Sequence, residues 1–176
     1  LANSNILLDN NTHNNINGGG QYSAPARIHL SYGSDTHSGV MIQNSKMLGG
    51  SADGVQTGVG VNILNNEFYN IKEGSCGDCH TDAIQLLGAK GSVIRGNYIH
   101  DTASGIVAYD GLQNALIEDN VLDLPNRPWG IEIYADSNSV VRHNTLKYGT
   151  TCVYNIPCGI IDINRKAADA AGRGTV

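Results

Sequence analysis

Four segments of the chain align on one asparagine: residues 61–68, 92–99, 115–122 and 139–146 bring Asn66, Asn97, Asn120 and Asn144 to the same position. The steps between them are 31, 23 and 24 residues, and weaker copies at Asn10 and Ser45 extend the series toward the N-terminus. A period of this size marks stacked repeats, each too small to bury its own apolar face. Apolar residues three and four apart, the mark of a helical repeat, are missing. Instead, runs of two to four β-branched or aliphatic residues are broken by Gly, Asn and Asp, so the units are strands and turns.

A second strand follows in each unit: Arg27-Ile28-His29-Leu30, Gly54-Val55-Gln56-Thr57, Ala83-Ile84-Gln85-Leu86, Gly105-Ile106-Val107-Ala108, Gly130-Ile131-Glu132-Ile133 and Gly159-Ile160-Ile161-Asp162. Each opens on a small or polar residue followed by an aliphatic one. Stacked coils pair like strand with like in parallel, about 4.8 Å apart, with aliphatics filling a continuous core. The recurring Asn has two physical readings. Its amide can bond the identical amide one coil away and hold register, or Asn simply tolerates a left-handed turn. Both place a turn there.

Through the repeated hydrophobic-hydrophobic-x-x-Asn-x-hydrophobic unit and the Gly-Ile-x-x strand, the chain resembles the pectin-lyase-like superfamily over nearly its whole length. That resemblance implies an all-β fold, a right-handed parallel β-helix solenoid of about six to seven coils. It leaves the chemistry open, because lyases, hydrolases, epimerases, adhesins and tailspikes share this fold. Residues 1–176 read as one domain. Thr175-Val176 matches the start of another unit and Leu1 is not an initiator Met, so the chain is expected to be a fragment of a longer solenoid, incomplete at the C-terminal end, with the N-terminal end open to the same reading.

Composition suits stacked, turn-rich coils: 22 Gly and 20 Asn stand against 15% charged residues. No segment is long and apolar enough for a membrane-spanning helix. A net charge of −5, with scattered Lys and Arg, offers no basic stripe for nucleic acid. The cysteines form two close pairs, Cys76 with Cys79 and Cys152 with Cys158. The reading favours two loop disulfides and a secreted or cell-surface protein, with free thiols and a metal as the other options. Cys76-Gly77-Asp78-Cys79-His80 also spells the attachment signature of c-type haem. Because His80 runs directly into a strand and no helical haem fold is visible, haem is not expected.

The segment His80-Thr81-Asp82-Ala83-Ile84-Gln85 resembles the Asn-Thr-Asp-Gly-x-Asp signature of polygalacturonase-type glycoside hydrolases, and Ser51-Ala52-Asp53-Gly54-Val55-Gln56 is a paler copy. It departs from the signature at the first and last positions, and Ala103-Ser104 stands where an Asp pair is expected. Hydrolysis needs two carboxyl groups roughly 5 to 10 Å apart, so only Asp82 carries over. Alternation along the second strand sends His29, Gln56, Gln85, Val107, Glu132 and Ile161 outward in one column, with Ser31, Gly58, Leu87, Tyr109, Tyr134 and Ile163 in the next. With Arg127 and Trp129 on the adjoining loop, this face offers aromatic surface and polar groups suited to sugar rings. The candidate catalytic residues are His80, Asp82, Tyr109 and Glu132, and the candidate substrate contacts are Gln56, Gln85, Arg127, Trp129 and Tyr134.

Two functions are consistent with these residues. The first is a secreted, monomeric enzyme cleaving or modifying a uronate-containing polysaccharide, most simply by β-elimination. The superfamily's lyases imply a cation at the uronate carboxylate, which keeps Ca2+ open as cofactor, with no ligand set singled out. The second is a non-catalytic adhesin or tailspike-like rod that binds glycans.

Overall fold

The computed structural model describes residues 4–17, 26–30, 38–74, 81–109, 111–125, 127, 129–134, 136–149 and 161–164, with backbone alone at 109 and 161–164. Six coils stack into three six-stranded parallel sheets. The first sheet holds β1 (Leu7–Asp9), β4 (Met41–Gln43), β7 (Asn62–Leu64), β10 (Val93–Arg95), β13 (Leu116–Glu118) and β16 (Val140–Arg142). The second holds β2 (Thr12–Asn14), β5 (Lys46–Leu48), β8 (Glu67–Tyr69), β11 (Tyr98–His100), β14 (Val121–Leu124) and β17 (Thr145–Tyr148). The third holds β3 (Ala26–Leu30), β6 (Asp53–Thr57), β9 (Asp82–Leu87), β12 (Ser104–Tyr109), β15 (Ile131–Tyr134) and β18 (Ile161–Asn164).

Each coil therefore has three strands where the sequence suggests two. The recurring unit divides at its asparagine, with one strand before the turn and one after it. The turn is made by the residue preceding that position, held by Ser45 in the second coil: Asn10, Asn44, Asn65, Gly96, Asp119 and His143 all take a positive φ between 51° and 69°. Asn and Asp adopt this left-handed conformation more readily than other side chains. The two readings of the Asn preference thus belong to two adjacent columns.

The ladder asparagines lie in the second column. Backbone N–H groups of Asn66, Asn97 and Asn120 donate to Oδ1 of Asn97, Asn120 and Asn144 at 2.9, 3.0 and 3.1 Å. Their Nδ2 groups donate to the same oxygens at 3.1, 2.9 and 2.9 Å. They also donate back to the Ile42, Ile63 and Ile94 carbonyls at 3.0, 2.9 and 3.0 Å. In the first coil Asn11, not Asn10, occupies the ladder position, its N–H donating to Ser45 Oγ at 3.0 Å. Asn10 is the turn residue, so the sequence alignment there is displaced by one.

Inside the coil, three sides meet over one apolar core that includes Ile42, Ile63, Ile94 and Ile117 from the first sheet and Met47, Phe68, Ile99 and Leu122 from the second. Val55, Ile84, Ile106 and Ile131 complete it from the third. The small residue opening each third-sheet strand has a steric cause. A Cβ on Gly54 would meet the Phe68 ring at 2.6 Å, and one on Gly105 would meet Leu122 Cδ2 at 2.6 Å. Both this residue and the following aliphatic therefore face inward, and Asp53 and Gln56, on either side of the pair, share the outer face.

Candidate functional site

The outer face of the third sheet carries two rows that run along the solenoid axis. The first row is Asp53, Asp82 and Ser104. Asp82 lies opposite Ser104 in register, and the Asp82 N–H donates to Asp53 Oδ1 at 2.8 Å. Ser104 donates its hydroxyl to Asp82 Oδ1, and Thr81 Oγ1 donates to the Ser51 carbonyl at 3.2 Å. Asp53 and Asp82 are 5% and 1% exposed, so two carboxylates on neighbouring coils are both largely withdrawn from water. Their strands are neighbours in the sheet, about 4.8 Å apart.

The second row is His29, Gln56, Gln85, Val107 and Glu132, followed by Asp162. Gln56 Nε2 donates to Gln85 Oε1 and reaches Asp53 Oδ2 at 3.5 Å, tying the rows together. Two corrections follow. The row ends on Asp162, and the next column on Asn164, where alternation suggests Ile161 and Ile163. One residue of slip in the last coil exchanges the two faces of the strand. Gln85, Val107 and Glu132 are also buried, whereas alternation predicts an open strand face.

Of the residues singled out in the sequence, Asp82, Gln56 and Gln85 meet. Glu132 does not join them. It lies two coils and three residues from Asp82, roughly 14 Å between Cα atoms at about 4.8 Å per coil and about 3.3 Å per residue. The buried Glu132 carboxylate is near Tyr148, whose phenol is pushed up in pKa by burial and secondarily by that charge. Arg127 donates to Glu73 Oε1 at 3.3 Å. Trp129 lies just ahead of β15, and its carbonyl accepts from the Gly105 N–H at 2.9 Å. Tyr134 closes β15 opposite Asn164. Tyr109 ends β12, paired with Leu87 through its backbone. His80, Cys76, Cys79, Cys152 and Cys158 lie outside the described residues, and the disulfide and haem readings with them.

Two members of the site were not among the candidates read from the sequence. Asp53 was signalled by the paler copy of the Asp82 segment, and Ser104 stands where the hydrolase signature has Asp. Arg27 adds a cation beside Asp53. Burial lowers its pKa to about 10, against the opposing pull of the Asp53 carboxylate, while its guanidinium donates to the Ala52 and Gly49 carbonyls. By contrast, the outer face of the first sheet holds a closed ion ladder, with Glu118 accepting from Arg95 Nε at 2.6 Å and Arg142 Nε at 2.7 Å.

A protein family described as right handed beta helix region matches residues 27–167. The chain belongs to this family. The match runs through the third sheet from Arg27 onward, and the β-helix carries its polar rows within it. No curated protein and no solved structure matches the chain. Membership in the right-handed β-helix family thus establishes the scaffold, while the chemistry rests on the two rows.

Proposed function

We propose that this β-helix is a secreted, carbohydrate-active protein of pectin-lyase-like type, working as a monomer. It takes a uronate-containing polysaccharide along the outer face of the third sheet and modifies it by β-elimination or a related acid–base reaction. The observation that carries this reading is the pairing of Asp53 with Asp82 on adjacent coils, flanked by Ser104, Gln56 and Gln85. Acid–base chemistry on a polysaccharide uses two carboxyl groups, one as base and one as acid. Hydroxyl and amide neighbours suit sugar hydroxyls. For β-elimination one carboxylate takes the proton α to the uronate carboxylate, and the other protonates the departing glycosidic oxygen.

A uronate brought to this acidic row needs a counter-charge, which makes Ca2+ the cofactor this reading carries. Among the described residues no group of three His, Cys, Asp or Glu is placed to hold a metal, so no step is assigned to it. A second reading, a non-catalytic glycan-binding rod, is favoured by one observation. The Asp53–Asp82 bond copies the pattern of the asparagine ladder, backbone N–H to side-chain oxygen of the neighbouring coil. The two readings separate on turnover. Alginate, pectate, hyaluronan, chondroitin and heparan are incubated with the protein, with and without Ca2+, following absorbance near 235 nm and reducing ends. Rising absorbance on one polymer supports elimination. Reducing ends without absorbance point to hydrolysis, and neither, on any polymer, favours the rod.

A further inference from the structure

The outer face of the second sheet has a different character. Its outward positions form two columns: Lys46, Glu67, Tyr98, Val121, Thr145, and Leu48, Tyr69, His100, Asp123, Lys147. Tyr69, Tyr98 and Val121 are 40%, 42% and 42% exposed. Among the described residues the other large exposed hydrophobics are Leu7 and Ile16, both in the first coil. Among the described residues of the remaining coils, the large exposed hydrophobics are therefore gathered on one sheet, in three consecutive coils.

The rings are ordered. His100 stacks on Tyr98 at 4.1 Å between centroids and 11° between planes, and on Tyr69 at 4.6 Å and 24°. His100 Nε2 is 3.1 Å from Glu67 Oε1. Charges around the rings are matched within the face. Lys46 pairs with Glu67 at 3.3 Å and Lys147 with Asp123 at 2.7 Å, while Lys72 Nζ donates to the Asp101 carbonyl at 2.6 Å. In number, Lys46, Lys72 and Lys147 equal Glu67, Asp101 and Asp123, so the strip has no surplus of lysine for a polyanion. An apolar ring surface with fixed donors and acceptors at its edge, electrically balanced, complements the C–H face and hydroxyls of a neutral sugar.

We propose that this face is a second saccharide-binding surface. It takes a neutral glycan chain lying along the solenoid axis, with Tyr69, Tyr98 and Val121 as the platform and Glu67, Asp123 and Lys147 at its edge. It shares with the preceding reading only the ligand class and lies on a different sheet, so either stands without the other. The test is affinity electrophoresis through gels containing mixed-linkage β-glucan, xylan or galactomannan, with pectate as the anionic gel. The wild-type protein is retarded by at least one neutral glycan. Tyr69→Ala/Tyr98→Ala weakens that binding at least tenfold. If the double variant does not fold, Val121→Lys, at an exposed position, is expected to give the same loss. Three results overturn the proposal: no retardation by any neutral glycan, retardation confined to pectate, or undiminished retardation of folded Tyr69→Ala/Tyr98→Ala or Val121→Lys. Self-association of the wild-type protein, abolished in Val121→Lys and insensitive to glycan, would instead assign the face to a second copy. Loss of pectate retardation in Asp82→Asn alone concerns the third sheet and leaves this surface untouched.

Discussion

Asn97 has ladder partners on both sides. Its Oδ1 accepts from the Asn66 N–H and Nδ2, and its own Nδ2 donates to the Ile63 carbonyl and Asn120 Oδ1, all at 2.9–3.1 Å. With the side chain 1% exposed, Asn97→Ala leaves buried groups on two neighbouring coils without partners. At about 1–3 kcal/mol for each buried group left unpaired, the variant should lose on the order of 3 kcal/mol in urea unfolding. Asn144→Ala, at a more exposed rung, should lose distinctly less. Equal losses would show that the ladder does not act through burial. His13 is the second residue with a measurable consequence. It stands in the column that continues as Met47, Phe68, Ile99 and Leu122. Burial, and secondarily Arg27, lowers its pKa. The folded state thus favours neutral imidazole, while the unfolded chain takes up a proton near pH 6.5. This contribution is present above that pH and is lost as pH falls through the lowered folded value. His13→Met should flatten the stability curve below pH 6.5, and an unchanged curve would exclude His13 as its source.

At the scale of the strand, position within the third-sheet element decides what a substitution does. Gly54→Val pushes side-chain atoms into the space of the Phe68 ring, 2.6 Å from a Cβ, and of the Ala83 carbonyl, which is closer still. Neither neighbour can retreat from the core easily, so the expected loss is at least about 3 kcal/mol, read as a lowered urea midpoint. Small residues recur at the equivalent positions Ala83, Gly105 and Gly130. That column was legible in the sequence as a small residue before an aliphatic one. The strand boundary at each ladder turn was not. A single left-handed residue such as Asn65 or Asp119 turns the chain without Gly or Pro, so two three-residue strands read as one. The outward placement of Tyr69 and Tyr98 follows only once the strand after the turn is separated from the one before it. In the last coil, Ile160 and Ile161 are chemically alike, and sequence offers nothing to choose the register.

For the whole molecule, stacking identical elements makes a functional face out of equivalent positions in successive coils. The candidate site was legible where a motif repeats: the Asp82 segment, its copy at Asp53 and the two glutamines. It was not legible in depth, because alternation distinguishes inward from outward but does not reveal that Gln85 and Glu132 are buried. Nor does it give distance along the axis, which separates Glu132 from Asp82. The proposed chemistry therefore concentrates on Asp53 and Asp82. The measurement that tests it most directly is turnover of Asp82→Asn on the polysaccharide that the wild-type protein processes best, alongside its thermal midpoint. The amide keeps the shape of the side chain and loses its proton chemistry, so the rate should fall at least about a hundredfold while the protein remains folded. A folded Asp82→Asn variant that turns over like the wild type would contradict the account.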